Sequence, residues 1–312
     1  MKLYPINVID FQDMFPTGEA CYAYLRQVKW PDGFVCPHCE STKYWQMKQH
    51  VLRCQSCRKK ISVTAGTIFQ DLRKPLRLQF QAMWYVVCQK QGVSALGLQN
   101  TLGLGSYRTA WSWLHKLRTA MVRPGRERLS GTVEVDEVFI GGAHSGKRGR
   151  GAQGKELVLV AVEQQATNKI GRVRFKQIPN ASASTLETII DELVEPGSKI
   201  KTDGWPGYVN LAEKGYTHEV LVHPKQKSTE PGEDPTPLVD LVTSHLKRWL
   251  LGTHQGGQQF THLHYYLDEF TFRFNRRNSR SRGQLFYRLV QQALEVKPAP
   301  LSTLKAADVR AR

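Results

Sequence analysis

The 312-residue chain lacks any apolar run long enough to span a bilayer. Its opening segment, "MKLYPINVIDFQDMF", carries acids and no apolar core of the kind a secretory signal needs, so a cytoplasmic protein is expected. No internal repeat is visible. Acidic residues are scarce: 27 Asp and Glu face 44 Lys and Arg, a net charge of +17. The imbalance is uneven, with 19 basic and 7 acidic side chains in residues 1–130 against 25 and 20 in the remainder. A basic excess gathered in one half points to a polyanionic partner, above all nucleic acid. A nucleotide loop is also missing. "GGAHSGKRG" has the GxxxxGK spacing, but Arg148 stands where a hydroxyl must hold Mg²⁺, and "RGRGAQG" does not start a helix. The segment reads instead as a basic loop in which Lys147, Arg148 and Arg150 can touch DNA phosphates.

Cysteine is sparse too, at six residues, and four of them form two CxxC pairs, Cys36 with Cys39 and Cys54 with Cys57. Two thiolate knuckles joined by a short segment that reads as two strands suit tetrahedral zinc in a zinc ribbon. Four thiolates would fill every position, so this Zn²⁺ would be structural, and His38 within a knuckle would be a bystander. Cys21 and Cys88 sit on helical stretches as core residues; Cys88 shares a stripe with Leu76, Phe80, Met83, Trp84 and Val87.

Residues 1–72 thus read as an N-terminal helix and ribbon, and 73–124 as a helix-turn-helix DNA-binding domain. The last helix of that domain, "SYRTAWSWLHKLRTAMV", places Tyr107, Ala110, Trp111, Leu114, Leu117 and Met121 on its apolar stripe. Arg108, Ser112, His115 and Lys116 then face the major groove. Residues 125–130 read as a linker, and 131–290 as a catalytic domain. Three strands in meander, then helix, strand, short helix, strand and helices, is the order of an RNase H-like α/β core with a mixed five-stranded sheet. In "FRFNRRNSRSRGQLFYR", Arg273, Arg276 and Arg277 are candidates for DNA contact, and 291–312 read as a disordered basic tail.

Asp136 lies mid-strand and Asp203 ends the strand "KIKTD"; on neighbouring strands of such a sheet they would converge. Two carboxylates so placed repel unless divalent cations lie between them, and oxygen ligands with a phosphate substrate suit Mg²⁺ or Mn²⁺. The residues alone leave open that Asp203 is simply a turn residue in "TDGW".

"VEVDEVFIGG", "KTDGWPGY", "HLKRWLLGTHQG" and "YLDEFTFRFNRR", with the CxxC pairs and "GTIFQDLRKPL", resemble one family of bacterial insertion-sequence transposases along nearly the whole chain. These are DDE-type enzymes with a zinc ribbon and an RNase H-like core. The resemblance implies that Asp136 and Asp203 begin a triad holding two Mg²⁺ or Mn²⁺ ions. It also implies cleavage and strand transfer at terminal inverted repeats, and at least a homodimer on DNA to bring two ends together. The family's third ligand, Asn or Glu, falls at the start of the "LKRWLLG" helix, where this chain has His245. That helix is expected to break at Gly252. Of the rivals, Asp240 is five residues earlier and about 140° away around a helix, Glu230 and Glu233 lie in a loop, and Glu269 lies off its helix's apolar stripe. The alternatives are a DNA-binding relic with His245 as the lesion, or a structure-selective nuclease with the same core.

Overall fold

A computed structural model describes residues 3–48, 50–123, 125–141, 155–166, 169–221, 236–255 and 260–305. The chain forms two compact units, one from Met1–Arg123 with Asn278–Ala306, the other centred on Pro124–Arg277.

The first unit opens with helices α1 (Val8–Met14) and α2 (Gly18–Lys29), whose amide groups are capped by the side chains of Asn7 and Thr17. Strands β1 (Tyr44–Gln46), β2 (Val51–Cys54) and β3 (Lys60–Ser62) form an antiparallel three-stranded ribbon in the order β1-β2-β3. Then come α3 (Leu76–Cys88), α4 (Ala95–Leu102) and α5 (Tyr107–Ala120). The predicted stripe of α3 is buried: Leu76, Phe80, Met83, Trp84 and Val87 all face inward. Ser94 caps α4, and Gly103, at φ 60°, closes it in a left-handed conformation that costs a glycine little. The short turn to α5 follows.

The second unit is built on a five-stranded sheet of β4 (Thr132–Gly141), β5 (Lys155–Ala166), β6 (Lys169–Ile178), β7 (Lys199–Thr202) and β8 (Thr217–Val220), in the order β6-β5-β4-β7-β8. The β4, β5 and β6 meander is antiparallel, while β7 and β8 run parallel to β4. Helix α6 (Ala183–Leu193), capped by Ser182, crosses from β6 to β7, and a 3-10 turn (Pro206–Leu211) separates β7 from β8. Helices α7 (Pro237–His254) and α8 (Leu263–Asn275) complete this unit. This is the expected mixed sheet with flanking helices, and the crossover falls where the hydrophobic pattern changes period.

Strand alternation divides the core in two. Val138, Ile140, Val158, Val160 and Val162 pack with α7 and α8. Val133, Val135, Leu159 and Ala161 face the other way, onto α6 and the 3-10 turn. Which face an acid on β4 occupies is therefore set by its parity.

Four expectations change. The linker 125–130 is fastened to the second unit: Leu129 is buried and exchanges backbone hydrogen bonds with Leu193 and Glu195. The catalytic unit ends at Arg277, because α9 (Arg282–Glu295) and α10 (Leu301–Lys305) belong to the first unit. The apolar face of α9, Leu285, Phe286, Leu289 and Val290, is what anchors it there, with Phe286 meeting Phe11, Phe15 and Phe80. The segment 291–305 is accordingly ordered rather than a loose tail, with Leu304 fully buried. Finally, α7 runs through Gly252 to His254 and stops at Gln255, which adopts φ 50°. A single glycine weakens a helix without having to end it.

Candidate active site and metal centre

The ribbon draws its four cysteines into one cluster. Cys36 Sγ lies 3.6 Å from Cys57 Sγ, and Cys39 Sγ lies 3.5 Å from Cys54 Sγ. All four sulfurs fall within 4.8 Å of one another, the spacing of a tetrahedral thiolate site. The Cys57 backbone N–H, then the Cys39 thiol, draw the Cys54 thiol down to about 6, so a thiolate is ready at neutral pH. The donor set suits structural Zn²⁺ and offers no open position. His38 stays outside the cluster, beside Lys59.

The carboxylate centre is assembled from distant segments. Parallel pairing of β4 with β7 sets Glu134 opposite Lys201. Two places further along the same register, Asp136 comes opposite Asp203. The Asp136 carboxylate accepts the Glu137 N–H at 2.7 Å, and Asp203 accepts the Trp205 N–H at 3.0 Å, so both are oriented by their own backbone. Thr202 adds a further tie, its hydroxyl donating to the Asp203 carbonyl and meeting His218 Nε2 at 2.9 Å. Burial pushes the Asp136 carboxyl up to about 7, and the negative charges of Asp203, Glu137 and Asp240 push the same way, against the Glu137 N–H. A divalent cation beside it would favour the ionised form. Oxygen donors of this kind fit Mg²⁺ or Mn²⁺.

Glu134 and Asp136 share the strand face that looks toward α7. The Glu134 carboxylate accepts the N–H groups of Leu238 at 2.8 Å and Val239 at 3.3 Å, bolting the positive end of α7 onto β4. Asp240, in the first turn of that helix, is thereby held close enough to Asp136 for its charge to be felt there. His245 is exposed on α7, with its ring 6.5 Å from that of Phe274 on α8. The five-residue offset puts Asp240 and His245 about 140° apart around α7, and both are exposed. Glu269 is fully buried, and Arg273 holds its Oε1 at 2.7 and 2.8 Å. Glu230 and Glu233 lie outside the described residues.

Residues 128–275 match the family model of the ISXO2-like transposase domain, and residues 16–60 match that of the transposase zinc-ribbon domain. The chain belongs to this family of insertion-sequence transposases. No curated protein matches it. Among solved structures, the cryo-EM structure of a simian T-cell lymphotropic virus intasome in complex with PP2A regulatory subunit B56 gamma is similar, at 16% identity and a TM-score of 0.31, over 62% of this chain and 67% of that one. No described helix of the transposase is long and apolar enough to cross a membrane.

The expected DNA-contacting residues divide once placed in this transposase. Arg108 is exposed at the start of α5, and Ser112 and Lys116 are half-buried on the same side, four residues apart. His115 is a correction: it is fully buried, stacks on Trp111 and neighbours the buried Arg118, so it supports the helix instead of reaching a base. The stripe is rotated accordingly, with Trp113 inside and Tyr107 outside. Two arginines, one in α8 and one just after it, are also spent internally. Arg273 pairs with Glu269, and Arg277 donates to the carbonyls of Ile170 and Gly171, pinning the start of β6. Arg276 lies over the Phe272 ring at 4.2 Å. Lys147, Arg148 and Arg150 fall outside the described residues. Sequence reasoning passed over Glu134 as a helix anchor and weighed Asp240 only to set it aside. The signal was present in the alternation of Glu134 with Asp136, which puts both on one face.

Proposed function

We propose that this transposase binds the terminal inverted repeats of its element and performs metal-dependent DNA strand cleavage and strand transfer at Asp136, Asp203 and Asp240. The observation that supports this best is the meeting of three chain segments: β4, the end of β7, and the first turn of a helix whose N-terminus is fixed to β4 by Glu134. On this reading an acid from α7 completes the pair in place of His245, and the alternative of a DNA-binding relic is decided by the cleavage test.

Mg²⁺ or Mn²⁺ held there would supply the Lewis-acid stabilisation of in-line displacement at phosphorus. The chain's own part is positional. Backbone N–H groups aim two of the carboxylates, Glu134 sets the height of the third, and burial of Asp136 keeps the unloaded site from accumulating negative charge. Zinc holds the ribbon, and the ribbon with the α4–α5 pair would dock the repeat, Arg108 and Lys116 neutralising phosphates. Synapsis of two ends calls for two protomers on DNA.

The test is strand cleavage of a duplex bearing the element's end, in Mg²⁺ and in Mn²⁺. Wild type should cut and Asp136→Asn should not. A wild type that binds the end and never nicks it in either metal would overturn the proposal.

A further inference from the structure

Tyr208 is an isolated polar group in the hydrophobic layer between the sheet and α6. Its side chain is 1% exposed, and its hydroxyl finds no hydrogen bond of normal geometry among the described residues. It reaches that place because the 3-10 turn presses against α6: a Cβ on Gly207 would stand 2.8 Å from Leu186 Cδ1 and 2.9 Å from the Ala181 carbonyl oxygen, so only glycine fits. The Trp205 indole N–H donates to the same Ala181 carbonyl, which fixes the turn from its other end.

The phenol faces Glu137, the odd-numbered neighbour of Asp136 on β4, whose Oε1 is buried on the α6 side of the sheet. Burial first, then the Glu137 carboxylate and the charges of Asp136 and Asp203, hold the phenol well above its ordinary pKa, so it stays a neutral donor. Glu137 in turn gives its backbone N–H to Asp136 Oδ1. Tyr208 comes five residues after Asp203, on the segment that Asp203 begins. One contact beneath the sheet therefore joins the two segments that carry the two carboxylates above it.

We infer that Tyr208 and Glu137 are a positioning pair, a strut beneath the sheet that fixes the separation of Asp136 and Asp203 for a divalent cation. The inference rests on the proposed metal-binding role of those two aspartates and adds the residues that set their spacing. Removing a support behind metal ligands weakens affinity by about 10- to 100-fold. Removing a hydroxyl that merely lacks a partner has the opposite sign in stability, since the unmet desolvation cost disappears.

The full-length, zinc-loaded protein is titrated with Mn²⁺ and binding is followed by electron paramagnetic resonance, alongside thermal unfolding. Tyr208→Phe should weaken Mn²⁺ binding about tenfold while leaving binding to the element's end unchanged. Glu137→Gln, which keeps an acceptor for the phenol, should stay near wild type, whereas Glu137→Ala should match Tyr208→Phe, and the double variant should be no worse than either. Wild-type Mn²⁺ affinity in Tyr208→Phe together with a raised Tm would overturn the strut. Asp136→Asn is the control for the underlying reading: if it too binds Mn²⁺ like wild type, the metal role of the aspartates fails and the strut falls with it.

Discussion

The four-cysteine ribbon and the carboxylate centre differ in how their side chains are brought together. In the ribbon, four cysteines within twenty-two residues close on one point, every sulfur within 4.8 Å of the others. In the catalytic unit the acids come from residues 136, 203 and 240, and no such tight cluster of three forms among the described residues. The ribbon is small, and its core beyond the cysteines is little more than Phe34, Leu52 and Ile61. In modules this small a structural zinc commonly supplies the folding energy. The carboxylate centre instead sits on a sheet packed between two helical layers.

Breaking the ribbon gives the largest expected effect. Cys36→Ser or Cys54→Ser should release zinc, whose binding supplies on the order of 10 kcal/mol in comparable peptides, and should abolish binding to the element's end. Two-dimensional NMR should show the ribbon resonances collapse while those of the five-stranded sheet persist; loss of the sheet as well would mean the two regions are not independent in this sense.

The carboxylate centre sharpens the comparison through pH. The Asp136 carboxyl stands at about 7 in the folded chain against 3.8 in a free one. Between those values the folded form keeps a proton that the unfolded chain has lost, so metal-free stability should fall as pH rises from 4 through 7, by at most about 4 kcal/mol. Differential scanning calorimetry of wild type and Asp136→Asn should show the slope in the first and a flatter profile in the second. Excess Mn²⁺ at pH 8 should recover the lost Tm, and a wild-type profile unchanged by metal would count against the site.

The smallest effect concerns α5, the helix proposed to face DNA. Arg108→Ala should weaken end binding uniformly across sequences and lower the salt slope by about 1, as loss of one phosphate contact does. His115→Ala should instead cost stability, with a salt slope equal to wild type in fluorescence anisotropy, because a fully buried ring is removed.

Legibility in the sequence followed the same division. Ligands close in sequence, like the cysteine pairs, declare their chemistry by spacing alone. The strands of the mixed sheet were readable because period-two alternation is a local rule. Asp136 and Asp203 were readable as a pair only through the sheet order. Asp240, the proposed third acid, was set aside, since the start of α7 is fixed by a contact 104 residues away in the chain, between Glu134 and the Leu238 N–H. The arginines at and just after the end of α8 misled for a related reason. Arg273 and Arg277 look like a basic run in one dimension, yet one neutralises Glu269 and the other satisfies carbonyls of β6. His115 was misplaced because α5 is rotated so that Trp113, not Tyr107, enters the core.

The most direct test of the central claim, that the α7 ligand is Asp240, is strand cleavage by Asp240→Asn beside His245→Ala, on the same end duplex in Mg²⁺ and Mn²⁺. The geometry predicts that Asp240→Asn loses cleavage by about a thousandfold or more, in line with removing a group that stabilises transition-state charge, while His245→Ala cuts within a few-fold of wild type. Full activity in Asp240→Asn together with loss in His245→Ala would contradict the account.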